Sequence, residues 1–242
     1  MPPAITSIWV YLSASPLLWL TATLWAYLGA HWLHEHSGRN PLVNSVSVAV
    51  AILIAILLAT NTPYETYFQG AQFVHFLLGP ATVALAVPLY NNFSTVRRLL
   101  VPMTVALVAG SATGILSGVG IAWAMGADSL TLKSLASKSV TTPIAMAITE
   151  KIGGLPSLTA VLVILTGIIG AIVVTPLFNA MGIRDRQARG FAAGLAAHGI
   201  GTARAFQVSE VSGAFAGIAM ALNGLMTAVL VPVLVQLMSR FI

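Results

Sequence analysis

The chain has 242 residues, 57% hydrophobic and only 7% charged, with a mean hydropathy of +0.92. Soluble domains average about 25% charged residues, so the composition excludes an ordinary soluble protein and indicates one embedded in a bilayer. A formal charge of +5 does not imply a nucleic-acid surface, because the basic residues lie singly or in small groups between apolar runs, where they report topology. With no cysteine, disulfides, thiolate nucleophiles and cysteine metal sites are excluded.

The opening MPPAITSIWVYLSASP carries no Lys or Arg and no cleavage-type segment follows, so the first helix is expected to stay. Residues 16–34 form a first span with Trp19, Trp25, Tyr27 and Trp32, and 34–40 a polar loop. Residues 41–60 are an uninterrupted apolar run, enough for about 30 Å of hydrocarbon. A loop at 61–69 holds Glu65; 70–90 is apolar but broken at Gly79-Pro80; 91–98 is a loop ending in Arg97-Arg98. A long span, 99–127, and a polar segment with Asp128, Lys133 and Lys138 follow. The second half repeats this plan, with 139–151, a span at 155–180, an arginine-rich loop at 181–189, a broken segment at 190–208 and a last span at 213–238.

A shift of 120 residues lays GAQFVHFLLGPATVALA (70–86) on GFAAGLAAHGIGTARAF (190–206), with Gly70, Gly79 and Thr82 on Gly190, Gly199 and Thr202. Both segments break at the same point. With the N-terminus outside, counting spans puts Arg39 and Arg97-Arg98 inside. The loop 184–189 and Arg240 stay inside only if 138–152 is re-entrant rather than crossing. The expected fold is thus all-α and polytopic, with about seven spanning helices and a re-entrant half-helix. Two inverted repeats, 1–126 with broken helix 70–90 and 127–242 with broken helix 190–208, resemble the plan of many secondary transporters.

The breaks carry the chemistry. Thr141-Thr142-Pro143 combines a capping residue with proline at the first helical position, and ten residues of helix reach about half the hydrocarbon thickness. Gly79-Pro80, with Thr82 one turn on, and Gly199–Gly201, with Thr202 as cap, offer similar helix starts at mid-membrane. Free N–H groups and the positive dipole end make such starts attractive to an anion. Lys138 and Arg204 add charge, and Ser139, Thr141, Thr142 and Thr202 add hydroxyls for carboxylate oxygens. Other readings stand beside these: glycine and proline also serve membrane helix packing, Arg204 also suits a surface pair with Glu210, and His198 suits a packed partner as well as a proton or substrate contact. No catalytic set or metal spacing is visible and no cofactor is implied, so an enzyme is not expected.

FLLGPATVALAVPLY (76–90), KSVTTPIA (138–145) and AHGIGTARA (197–205) strongly resemble the LrgB/CidB family of bacterial inner-membrane proteins, over a stretch from about Leu17 to the C-terminus. The resemblance implies two functions. One is holin/antiholin-like regulation of murein hydrolase export and lysis. The other follows from plant relatives that form part of the plastidic glycolate/glycerate translocator and from bacterial members linked to pyruvate uptake. It also implies a small LrgA/CidA-type membrane partner. The expectation is therefore an alternating-access carrier of small monocarboxylates (glycolate, glycerate, pyruvate or lactate) in the inner membrane, with N-terminus outside and C-terminus inside. A homo-oligomer and lipid contact are expected, and no nucleic acid. The alternative is a holin-like pore or lysis regulator. The substrate-contacting candidates are Gly79, Pro80, Thr82, Lys138, Ser139, Thr141, Thr142, Pro143, His198, Gly199, Gly201, Thr202 and Arg204.

Overall fold

The computed structural model describes residues 15–38, 40, 43–77, 80, 83, 84, 87, 90 and 93–238, and all regular structure among them is helical. Contacts divide the chain into two compact units, residues 1–84 and 85–242. The repeat boundary expected at 126/127 is a statement about symmetry, and Gly79, Thr82 and Arg240 lie outside the described residues. Pro80 is helical and exposed.

The first unit packs α1 (Pro16–His36), α2 (Ser45–Thr60) and α3 (Tyr64–Phe76). Asn44 caps α2 by accepting from the N–H groups of Val46 and Ser47, and Asn61, with φ of 49°, ends it in the left-handed region. The loop expected at 61–69 is instead the start of α3. Its aromatic face explains this: Tyr67 meets buried Trp19 edge-on at 6.0 Å, and Gly70 lets α3 press against the backbone of Pro16 and Leu20.

The second unit contains α4 (Phe93–Arg98), α5 (Leu100–Ala124), α6 (Ser129–Ala136), α7 (Thr142–Lys151), α8 (Pro156–Ala180), α9 (Arg186–Val208) and α10 (Glu210–Met238). The loop expected at 91–98 thus ends in a short helix, with Val96 buried against Met103 and Phe191. Among the described residues three helices are long and apolar enough to cross a membrane, α5, α8 and α10, and α2 is a shorter apolar helix. Residues 128–138, expected as a polar segment, hold α6: Asp128 caps it through the Thr131 N–H, and Leu132 and Ala136 are buried. Helix α7 begins within one residue of its expected start.

Helices α6 and α7 form a hairpin that enters and leaves at one face. Leu155 N–H donates to Ser134 Oγ at 2.8 Å, so the chain leaving α7 returns beside the last turn of α6, and the turn 137–141 reaches inward to Val163 through Val140. A fully buried hydroxyl chain fixes the hairpin to α8. Ser137 and Thr149 hydroxyls meet at 2.9 Å, and Thr159 Oγ1 donates to Thr149 Oγ1 at 3.0 Å and to the Ser134 carbonyl at 2.9 Å. The re-entrant reading of 138–152 therefore acquires a partner arm, α6.

Helix α9, expected as a broken but crossing helix, also turns back. Ala197 (φ −123°, ψ 17°) and His198 (φ 40°, ψ −130°) leave the helical region. A Cβ placed on Gly201 would lie 2.5 Å from the Ala193 carbonyl oxygen. Residues eight apart in a continuous helix are separated by about 12 Å, so 199–208 must run back along 186–196. Ser212 Oγ donates to the Arg186 carbonyl at 3.0 Å, which puts the start of α10 beside the start of α9. The correction has a topological consequence. Val96, Met103, Phe191 and Phe215 cluster at the face that carries Arg97, Arg98, Arg184, Arg186 and Arg189, whereas Val119, Leu132, Ile148 and Val231 cluster at the other. Helix α10 crosses between them, so Met238 lies at the face opposite the arginines, and the expectation of both on one side fails.

Glycines set how closely the second hairpin docks. A Cβ on Gly194 would collide with the Ala216 carbonyl, and one on Gly190 with that of Ser212. Gly194→Ala is expected to destabilise the protein by about 1–3 kcal/mol through overpacking. Gly29→Ala, where nothing lies within 4 Å, should be neutral or slightly stabilising. Thermal unfolding of the detergent-solubilised variants checks the contrast.

Candidate functional site

The two hairpins enter from opposite faces and their turns meet beside the middle of α8. From the arginine face, Ala197 and His198 pack on Gly170 and Gly167. From the other face, Val140 packs on Ala145 and Val163. His198 is 4% exposed, and its Nε2 lies 3.0 Å from the Val163 carbonyl oxygen. A carbonyl only accepts, so Nε2 carries the proton in this contact.

Asn223, in the middle of α10 and 1% exposed, joins the turns. Its Nδ2 donates to the Ser139 carbonyl at 3.1 Å and to the Leu195 carbonyl at 2.9 Å. Its Oδ1 accepts from Ser111 Oγ on α5 at 2.6 Å and from Thr227 Oγ1 at 3.3 Å. Both amide protons and both lone pairs are therefore used, which makes this buried polar group a fully satisfied one. Asn223 was not among the sequence candidates. The available signal was an amide within the apolar run 213–238, since polar side chains inside membrane helices usually bond across to neighbours.

Beside Asn223 lies a cavity of about 230 Å³ lined by Lys138, Ser139, Ser111, Ser117, Thr166 and Thr227 together with small apolar residues. Among the described residues no carboxylate lines it. Lys138 Nζ donates to the Gly114 carbonyl at 3.0 Å, leaving two of the three ammonium protons without a partner among the described residues. Gly118 makes room for this side chain, since a Cβ there would stand 2.8 Å from Nζ. The arrangement can hold a small anion, with one point charge and several hydroxyls around it.

The sequence candidates separate at this point. Lys138 and Ser139 line the cavity. Thr141, Thr142 and Pro143 build the first turn of α7, with no side-chain cap bond from Thr141, and do not line it. His198 and Gly199 shape the opposing turn. Thr202 is not a cap: its hydroxyl bonds back to the His198 carbonyl at 2.8 Å, one turn earlier. Gly201 serves the close approach of the two α9 arms. Arg204 lies apart, in a small pocket with Arg189 and Thr175 near the arginine face, and its Nη1 donates to Gln207 at 3.1 Å rather than pairing with Glu210. Each turn also receives the C-terminal end of one arm beside the N-terminal start of the other, so the helix-dipole argument partly cancels and Lys138 carries the charge. Among the described residues no group of His, Asp or Glu is placed to hold a metal.

Residues 23–237 match the model of the LrgB-like family. The chain belongs to this family. Among its relatives, uncharacterized protein YwbG of Bacillus subtilis is 38% identical over 90% of this chain and 97% of its own length. Holin-like protein CidB of Staphylococcus epidermidis is 30% identical over 94% and 98%. Antiholin-like protein LrgB of Bacillus cereus is 31% identical over 90% and 95%. No solved structure matches.

Two substitutions probe this centre. Asn223→Ala leaves two buried carbonyls and two hydroxyls without this partner and is expected to cost about 2–4 kcal/mol, read as a lowered Tm. At position 198 the positive φ favours glycine. His198→Gly should therefore be more stable than His198→Ala by about 1 kcal/mol, the reverse of the order inside a regular helix.

Proposed function

We propose that this LrgB-family membrane protein is a non-enzymatic carrier of small monocarboxylates of the glycolate, glycerate, pyruvate or lactate type, working by alternating access. The observation that supports this most is a lysine-bearing cavity with no carboxylate, placed where two opposed re-entrant hairpins meet. Irregular backbone at membrane depth persists only where protein or a water-filled cavity covers it, and an ionisable group there points to a solute or ion path. The cavity's volume suits a few carbon atoms with a carboxylate. Lys138 would neutralise that carboxylate, and Ser139, Thr166 and Thr227 would meet its oxygens and a neighbouring hydroxyl. The membrane would be the bacterial inner membrane, with the arginine face in the cytoplasm by the positive-inside tendency.

The names of the relatives favour the other reading more directly: a holin-like or antiholin-like protein acting with a small LrgA/CidA-type partner, or as an oligomer, on lysis. None of the relatives reported above is named for a transported solute. A pore has no need of a cation held between satisfied hairpin turns, and flux separates the two.

Uptake of labelled glycolate and pyruvate is measured in liposomes containing the protein alone. Lys138→Met is expected to lower kcat/KM for uptake about 10- to 100-fold, the loss of one charge-assisted contact of about 1.5–3 kcal/mol. Arg204→Met should keep most of the activity. Saturable uptake with this pattern supports the carrier. Leak of unrelated sugars that neither substitution changes would overturn it in favour of the pore.

A further inference from the structure

A second, larger cavity of about 550 Å³ lies between α5, the first arm of α9 and α10. Its end nearest the arginine face is lined by Asp185 and Gln187, and Pro102, Met103, Phe191 and Phe215 form its walls. Its inner end is formed by Gly110, Leu195 and Ala196, and these same three residues form one wall of the Lys138 cavity. The two spaces are therefore successive compartments on one line from the arginine face to mid-membrane. They are separated where the Leu195 side chain meets Gly110: a Cβ on that glycine would lie 3.0 and 3.1 Å from the two Leu195 methyl groups.

We propose that Leu195 is the gate between a vestibule open to the arginine face and the solute site at Lys138. The chemistry of the two compartments fits such a division. The vestibule has room for on the order of 15–20 waters at liquid density, but among the described residues no cation lines it, and the one charged residue there, Asp185, repels anions. A carboxylate passes through it and is retained only behind Leu195. The gate has a latch, because the Leu195 backbone carbonyl accepts from Asn223 Nδ2, and the same amide holds the Ser139 carbonyl beside Lys138. Opening moves Leu195 from Gly110 and lengthens one of these two bonds while the other stays.

The two hairpins that flank the gate are held in different ways. The hairpin of α6 and α7 is tied to α8 by the chain of buried hydroxyls from Ser134 to Thr159. The α9 hairpin meets α8 and α10 through Gly and Ala surfaces and through hydrogen bonds spread along it: Arg189 to Thr175 and Asn179, Asn223 to Leu195, His198 to Val163, and Ser212 to Arg186.

The gate's purpose rests on the carrier reading, but its test does not require transport. Because the chain has no cysteine, single-cysteine variants label cleanly. Thr166→Cys reports on the Lys138 cavity and Gln187→Cys on the vestibule mouth. Both are exposed to a membrane-impermeant anionic thiol reagent from the arginine face, in membranes of known sidedness. Thr166→Cys should react at least tenfold more slowly than Gln187→Cys. Leu195→Ala should raise the Thr166→Cys rate about tenfold without changing the Gln187→Cys rate. Gly110→Ala, which fills the gap, should lower it at least threefold, and this variant keeps the test open if Leu195→Ala fails to elute as folded protein. Equal rates at Thr166→Cys in all three backgrounds, or a rate there matching Gln187→Cys before any substitution, overturns the gate. Rates that shift as expected in a protein with no carboxylate flux would leave the gate standing and sink the carrier.

Discussion

One side-chain amide ties together the elements at the centre of the second unit. Asn223 donates to a carbonyl at each of two turns that arrive from opposite faces, and accepts from hydroxyls on α5 and α10. In hydrocarbon, backbone carbonyls released by a break in a helix have no water to bond, and each one left bare costs several kcal/mol. A chain that ends helices at mid-membrane therefore needs a partner for those groups at that depth. Asn223 supplies it for Ser139 and Leu195, while Lys138 and the His198 ring bond to carbonyls of the unbroken helices beside the turns, Gly114 of α5 and Val163 of α8. The site follows from this requirement. The polar groups that satisfy the breaks are also the ones that surround the cavity.

The hairpins differ in how they are secured. The first relies on hydroxyls, Ser134, Ser137, Thr149 and Thr159, all fully buried and bonded to one another or to backbone. The second relies on small residues that allow backbone-to-backbone approach, Gly190 on Ser212, Gly194 on Ala216 and Gly201 on Ala193. Packing of this kind replaces the hydrophobic effect, which is absent between helices in lipid. A strained histidine at the turn fits the same picture: φ of 40° at His198 favours glycine, so the imidazole is retained against a backbone cost for what the side chain does there.

Much of this was legible in the sequence, and the rest was hidden for identifiable reasons. Composition gave the membrane class, and the apolar run at 155–180 matches α8 (Pro156–Ala180) within a residue. Thr-Thr-Pro located α7, because a capping residue and proline coincide only at a helix start. The break near Gly199 was visible too, but not its geometry. Residues 186–208 make one full crossing or two half crossings with equal ease, since 23 residues of helix span about 34 Å and each arm about 15 Å. Only the pairing of Gly201 with Ala193 decides between them, and that contact has no local signature. Asn223 was missed for the opposite reason. It is a single polar residue in an otherwise ordinary apolar span, and its four partners come from three distant segments and its own helix. Arg204 looked like a site residue because it follows the break closely, but once the chain reverses, that spacing carries it back toward the face.

The central claim is that a small carboxylate binds at Lys138 between the two turns. Calorimetric titration of the purified protein with pyruvate, beside the Lys138→Met variant, tests it most directly. Saturable binding to the unaltered protein that disappears in the variant, with both unfolding at similar temperatures, is the predicted result. Equal binding to both, or to neither while uptake proceeds, would place the solute elsewhere and contradict the account.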